Sequence, residues 1–272
     1  MNHRVYTRGR FSAFVFPTFL RIASLSPAAT EILFLLGKGK DIVCTDQFSN
    51  FPDEAKDLPH LRDHQKVSVS EITAHRPDLI LTATVVQEQL ASLLRTHTLP
   101  VVHQDPRTLA AIEESIIQLG ILVSAEMEAR ELVKRMKKEF DAVRQKAKLL
   151  PRKPRVYIEE WHVPPMASGN WVPDVVTIAG GQPFPIKPGE LSRPVTLEEV
   201  QAFDPDLIVI SWCGAGRLAD KSLLLKREGW SDLRAVANGH VRVIDDSLLN
   251  RPGPRLVEGA QQLFGWLFEL LH

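Results

Sequence analysis

Between Ala125 and Leu150, apolar side chains recur at Leu132, Met136, Phe140, Val143, Ala147 and Leu150. The steps of three and four put them on one face of a helix. The stretch holds no Gly and no Pro, and Pro151 and Pro154 stop it. About 25 residues at 1.5 Å each predict a rod of roughly 37 Å, long enough to cross a domain.

The sequences on the two sides of this helix resemble each other. Ser70-Glu71-Ile72-Thr73-Ala74-His75-Arg76-Pro77-Asp78-Leu79-Ile80-Leu81 matches Glu198-Glu199-Val200-Gln201-Ala202-Phe203-Asp204-Pro205-Asp206-Leu207-Ile208-Val209. Each reads as a short helix, a Pro-Asp turn and a buried strand. Each side also opens alike, with a strand at Arg21-Ile22-Ala23-Ser24-Leu25 and another at Arg155-Val156-Tyr157-Ile158. A two-fold repeat of this length predicts two similar lobes tied by the helix. Strands and helices alternate in both, which predicts an α/β fold of two Rossmann-like lobes with parallel sheets. The expected division is a leader over 1–20, lobes over 21–121 and 151–272, and the connecting helix over 122–150.

In the first lobe, Ser26 caps a helix with Pro27 at its first position, and Glu31 sits where the helix dipole favours an acid. In the second lobe, three strand ends run into unusual loops. Residues 159–173 hold Trp161, His162 and Trp171; residues 212–216 begin with Trp212 and Cys213; residues 245–255 include Asn250, Arg251 and Arg255. Loops at the carboxyl ends of parallel strands are where such sheets bind ligands.

Composition narrows the class. Hydrophobic residues at 44 % and charged residues at 24 % are those of a soluble globular chain. Lys plus Arg and Asp plus Glu are 33 each, without the basic excess expected of a nucleic-acid binder. Cys44 and Cys213 fall one in each lobe; a disulfide would pin the lobes together, so both read as buried free thiols. Arg4, Arg8 and Arg10 precede an apolar stretch of about ten residues, too short to span a bilayer. No small-x-small cleavage site follows, so the start reads as a leader or disordered segment, with a degenerate export signal as the alternative.

Catalytic signatures are missing. There is no Gly-x-Ser-x-Gly, no His-Glu-x-x-His and no phosphate loop, and no His/Cys cluster has zinc spacing. Glu159 and Glu160 are adjacent at a strand end, so their side chains diverge. The chain therefore reads as a binding protein, not an enzyme, with no intrinsic cofactor and no structural metal.

Several motifs carry a family resemblance. Arg21-Ile22-Ala23-Ser24-Leu25-Ser26-Pro27-Ala28-Ala29-Thr30-Glu31, Gly169-Asn170-Trp171-Val172-Pro173 and Asn250-Arg251-Pro252-Gly253-Pro254-Arg255-Leu256 resemble the solute-binding proteins that serve importers of vitamin B12 and iron–siderophores, and the cobalamin-binding branch in particular. The resemblance covers about residues 21–272. It implies the class III periplasmic-binding-protein fold and one ligand held between the lobes. It also implies an ABC importer permease as partner, a monomer that does not itself span the membrane, and a periplasmic or extracytoplasmic location; a cytoplasmic one is the alternative.

A corrinoid needs broad apolar surface and a few hydrogen-bond donors. Trp161, Trp171 and Trp212 supply area and an N–H each, Asn250 and Arg251 could meet amides or carboxylates, and Phe48 could add an aromatic face. His162 and His64 are the imidazoles available to a ligand's metal. An iron–siderophore, haem, or a cytoplasmic corrinoid-salvage role is the alternative. For docking, the family implies one Glu per lobe, seven residues before the Pro of its Pro-Asp turn. Glu198 matches; Glu71 is one place off, about 100° around the helix.

Overall fold

A computed structural model describes residues 20–61 and 67–272. The expected leader over 1–20, apart from Leu20, and the candidate ligand His64 lie outside the described residues. The first lobe runs β1 (Ile22–Ser24), α1 (Pro27–Leu35), β2 (Ile42–Asp46), β3 (His60–Leu61), α2 (Val69–Ala74), β4 (Leu79–Ala83), α3 (Glu88–Thr96), β5 (Val101–Gln104) and α4 (Leu109–Leu122). Then comes α5 (Glu126–Ala147). The second lobe runs β6 (Arg155–His162), β7 (Pro165–Ala167), α6 (Val172–Ile178), β8 (Gln182–Pro183), β9 (Arg193–Pro194), α7 (Leu197–Phe203), β10 (Leu207–Ile210), α8 (Ser222–Leu225), α9 (Arg234–Ala237), β11 (Val241–Val243) and α10 (Leu256–Leu271).

The first sheet has the order β3-β2-β1-β4-β5, and its pairings are parallel. The second has the order β11-β10-β6-β7-β9, with β8 also on β6. It departs from the expected all-parallel sheet: β7 pairs antiparallel with both β6 and β9. The reason lies in β6. It is eight residues long, twice the length of β10, and turns back at Val163-Pro164 to pair His162 with Pro165. Two prolines, Pro164 and Pro165, and a register shift between Glu159 and Trp161 erase the two-residue alternation that marks a strand.

The repeat has a physical basis at the Pro-Asp turns. Asp78 Oδ2 accepts from the Arg21 N–H (2.9 Å), and the Asp78 N–H donates to the Arg21 carbonyl (2.8 Å). Asp206 Oδ2 accepts from the Arg155 N–H (2.7 Å), and its N–H donates to the Arg155 carbonyl (2.8 Å). Each turn thus clamps the first strand of its lobe at the entry to its sheet.

Helix α5 spans 22 residues, which is about 33 Å at 1.5 Å per residue. It buries Ala129, Leu132, Val133, Met136, Phe140 and Val143. These side chains join one hydrophobic cluster that takes in Leu33 and Ile112 of the first lobe and Val156 and Leu263 of the second. Its amino-terminal end packs on α4, where a Cβ at Gly120 would overlap that of Ala129. Its carboxyl-terminal end packs on α6 and α10. Acids in the first turn and Arg144 and Lys146 in the last complement the helix dipole.

Candidate functional site

Both sheets reverse strand order at one point. In the first, the chain leaves β1 for β2 on one side and returns to β4 on the other. In the second, β6 and β10 are the equivalent pair. Ligands bind in open α/β sheets at the crevice that such a reversal leaves at the strands' carboxyl ends.

On the first lobe, this crevice is built by α1 and the loops after β2 and β4. Ser26 caps α1, its Oγ accepting from the Ala29 N–H (3.3 Å), with Pro27 at the first helical position as the sequence indicates. Thr30 Oγ1 donates to Ser24 Oγ (2.8 Å) and lies 3.0 Å from Ser49 Oγ, which fastens the loop after β2 to the helix. Gln87 is buried and ties the other two loops, donating to the Leu25 carbonyl (2.7 Å) and accepting from the Ala83 N–H (2.8 Å). Thr84 takes φ 61°, ψ 162°, a costly backbone for a β-branched residue. The next two residues, Val85 and Val86, are exposed by 43 % and 51 %.

On the second lobe, a row of rings stands at the ends of β6 and β10. The Trp161 and His162 centroids are 5.0 Å apart, and those of His162 and Trp212 are 4.7 Å apart. Trp161 is 40 % exposed; its Nε1 donates to the Val163 carbonyl (3.1 Å). Trp212 is buried, and its Nε1 donates to Glu159 Oε1 (3.1 Å). Glu159, wholly buried, also takes both Arg227 guanidinium nitrogens, at 2.8 and 2.9 Å, and the Tyr157 hydroxyl at 3.1 Å. Arg227 further donates to the His162 carbonyl (3.1 Å). An ion pair on a wholly buried carboxylate therefore fixes the inner end of the row. His162 Nδ1 is buried without a hydrogen-bond partner.

Other residues read as ligand contacts hold the walls. Trp171 is 4 % exposed, lies in the hydrophobic core, and donates its N–H to the Leu249 carbonyl (2.7 Å). The structure places it behind the crevice wall because α6 turns its first residues inward. Asn250 Nδ2 donates to the Ser211 carbonyl (2.6 Å) and lies 3.2 Å from Cys213 Sγ; its Oδ1 accepts from Ser211 Oγ (3.2 Å). Asp246 accepts from the Gly214 and Gly216 N–H groups at 2.9 and 2.8 Å. The loops after β10 and β11 are thus fastened to one another. Arg251 reaches the first lobe, where Glu31 Oε1 accepts from its Nη1 at 2.8 Å. Phe48 stands at the same junction, its ring 3.6 Å from where a Gly214 Cβ would be.

The cysteines are free, but only Cys44 is buried; Cys213 is exposed, which corrects the reading of two buried thiols. The Cys213 Sγ is nonetheless crowded: burial, with Glu160 and Asp246 nearby, pushes its thiol up to about 12. Burial likewise pushes the Cys44 thiol up, to about 11. Glu160 diverges from Glu159 as expected, accepting from Ser192 Oγ (2.6 Å), and burial raises its carboxyl above the usual range. Among the described residues, no group of three or more His, Cys, Asp or Glu could hold a metal ion, and no helix is long and apolar enough to cross a membrane.

Glu198 is exposed in the first turn of α7, where its own backbone N–H and the Thr196 hydroxyl hold its carboxyl below the ordinary range. Glu71 closes the capping box of α2, accepting from the Ser68 N–H (2.8 Å). Three features of the site escaped the sequence. Glu31 had a signal, since a carboxylate on a helix apolar around most of its circumference needs a buried partner. Arg227 and the Val85-Val86 pair had none.

Residues 22–248 match the family model described as periplasmic binding protein. The vitamin B12-binding protein of Vibrio campbellii (strain ATCC BAA-1116) is 25 % identical over 246 residues, covering 89 % of this chain and 87 % of that one. An uncharacterized ABC transporter substrate-binding lipoprotein, YvrC, of Bacillus subtilis (strain 168) is 26 % identical over 252 residues, 89 % of this chain and 78 % of its own. Among solved structures, the periplasmic heme-binding protein RhuT from Roseiflexus sp. RS-1 in apo form superposes with a TM-score of 0.82 at 22 % identity, covering 93 % of this chain and 100 % of that one. The periplasmic vitamin B12 binding protein BtuF of Vibrio cholerae superposes at 0.74 and 23 % identity, covering 92 % and 97 %. With the family model spanning both sheets and α5, the chain belongs to the periplasmic binding protein family, whose members bind substrates and are not enzymes.

Proposed function

We propose that this protein captures a corrinoid between its lobes and delivers it to the permease of an ABC importer outside the cytoplasm. One observation carries the reading: large apolar side chains stand exposed at the strand ends of both lobes. Phe51, Val85 and Val86 lie on the first, and Trp161 and Val163, at 40 % and 72 % exposure, on the second. Exposed apolar groups converging from two sides fit a broad ligand with an apolar rim. Trp161 and His162 form the ligand-facing part of the ring row, with Trp212 as its inner support. Phe48 contributes from the first lobe. Asn250 and Arg251 act by holding loops. The curated B12-binding relatives support the corrinoid, and the heme-binding structural neighbours support haem as the second reading.

Haem is the second reading. His162 Nδ1, buried and without a partner, would be an imidazole donor for iron after a small rotation of its ring. Calorimetry of the purified protein with cyanocobalamin, cobinamide, haem and a ferric siderophore separates the two. Heat with cobinamide and none with haem is the expected result; heat with haem alone would replace the corrinoid reading.

A further inference from the structure

Arg251 and Arg255 come from the loop after β11, yet much of what they hold lies on the other lobe. Arg251 Nη1 donates to Glu31 Oε1 (2.8 Å); its Nη2 donates to the Phe48 carbonyl (3.1 Å) and to Asn50 Oδ1 (3.0 Å). Arg255 Nη1 reaches the same Glu31 oxygen at 3.3 Å, and its guanidinium carbon lies 4.2 Å from the Phe51 ring centroid. Its Nη2 is anchored at home on Ser247 Oγ (2.9 Å). Glu31 is 1 % exposed, so two cations of one lobe converge on one buried anion of the other. The spacer between the arginines is Pro252-Gly253-Pro254, two fixed φ angles around a glycine whose added Cβ would stand 3.9 Å from that of Ala28. A larger residue at 253 would meet α1.

We propose that this cluster is a second tie between the lobes, at the mouth of the crevice, and that Arg251 and Arg255 are positioning residues that set its width. Helix α5 alone joins the lobes through one packed rod and would leave a tilting motion about it. The arginine strap closes that freedom on the ligand side and holds the 47–52 loop, with Phe48 and Phe51, at a fixed distance from the 211–216 loop. Removing Glu31 takes from both guanidiniums the anion they share, and removing Arg251 leaves Arg255 as the remaining cation on a buried carboxylate, so either change loosens the strap at a cost. A permease that pulls the lobes apart to unload a ligand has this cluster to break.

The proposal stands whichever ligand the crevice takes, because its test needs none. Amide hydrogen exchange is followed in the ligand-free full chain for wild type, Glu31→Gln, Arg251→Gln, the double variant and Asn50→Ala. Each single charge variant should speed exchange over 47–52 by about tenfold or more, while β10 keeps its protection. The double variant should fall clearly short of the sum of the two single effects, since the Arg251–Glu31 pair is lost in each, while Arg255 on Glu31 and Asn50 on Arg251 keep the two from being identical. Asn50→Ala removes an exposed acceptor without stranding a charge, so it folds and should loosen 47–52 alone. In parallel, spin labels at Lys56→Cys and Lys221→Cys, in a Cys213→Ser background, report the inter-lobe distance. Arg251→Gln should lengthen or broaden it, a change that a merely local packing role would not produce. Unchanged exchange over 47–52, additive single effects or an unmoved distance distribution would overturn the strap.

Discussion

Glu71 in the first lobe is the counterpart of Glu199 in the second. Each is the third residue of its helix, and each accepts from the backbone N–H of its cap, Ser68 at 2.8 Å and Thr196 at 2.9 Å. The residue one place earlier is Ser70 in α2 and Glu198 in α7. Glu71 is therefore a capping residue, and on the first lobe the position that the family resemblance implies for docking carries a hydroxyl. In a reconstituted importer, Glu198→Ala should reduce uptake and Ser70→Ala should not. Glu71→Ala should instead lower stability by about 1 kcal/mol, read in thermal melting. Equal losses of uptake from Glu198→Ala and Glu71→Ala would contradict this.

Two tryptophans of the 159–173 segment should separate affinity from stability. Trp161 is exposed and Trp171 is buried with its N–H bonded to Leu249. Trp161→Ala should weaken cobinamide binding roughly 5- to 150-fold, the equivalent of about 1–3 kcal/mol, at unchanged urea midpoint. Trp171→Ala should cost about 3–5 kcal/mol of stability. A wild-type affinity in Trp161→Ala would remove it from the site.

Two carboxyls should respond to pH with opposite signs. Burial raises Glu160, so its charge costs stability above the carboxylate range and not below it. Burial also opposes the charge on Asp206, but Arg152, the Arg155 N–H and Arg234 outweigh it and hold the carboxyl below 3.8; its contribution persists until pH falls through that lower value. At pH 7, Glu160→Gln should raise the urea midpoint and Asp206→Asn should lower it. At pH 4 the gain of Glu160→Gln should shrink while the loss of Asp206→Asn remains. The measurement is urea unfolding at the two pH values.

Ligand should change the outline of the molecule little. One hydrophobic cluster runs from the first lobe through α5 into the second, and packed cores do not deform continuously. Small-angle scattering with and without cobinamide should give the same radius of gyration within error. A clear compaction would show that the lobes close by a hinge.

Much of the architecture is legible in the chain. The α5 stripe, the Ser26-Pro27 cap and the paired Pro-Asp turns each depend on residues within a turn or two of one another, and such short-range rules survive folding. The hairpin at Val163-Pro164 was hidden because its strands carry prolines and a register shift in place of alternation.

The sequence by itself determined two α/β halves, a helical tie, and aromatic side chains at strand ends. Tertiary structure alone decided which of those side chains stand exposed. Trp161 and Trp171 sit in similar company along the chain, yet one ends exposed at a strand tip and the other in the core, since burial depends on what packs from elsewhere. Arg251 has the chemistry of a ligand contact, but its partner is Glu31, 220 residues away. An ion pair has no local signature in sequence: it exists only because the fold brings two distant buried charges together, where neither could be left alone.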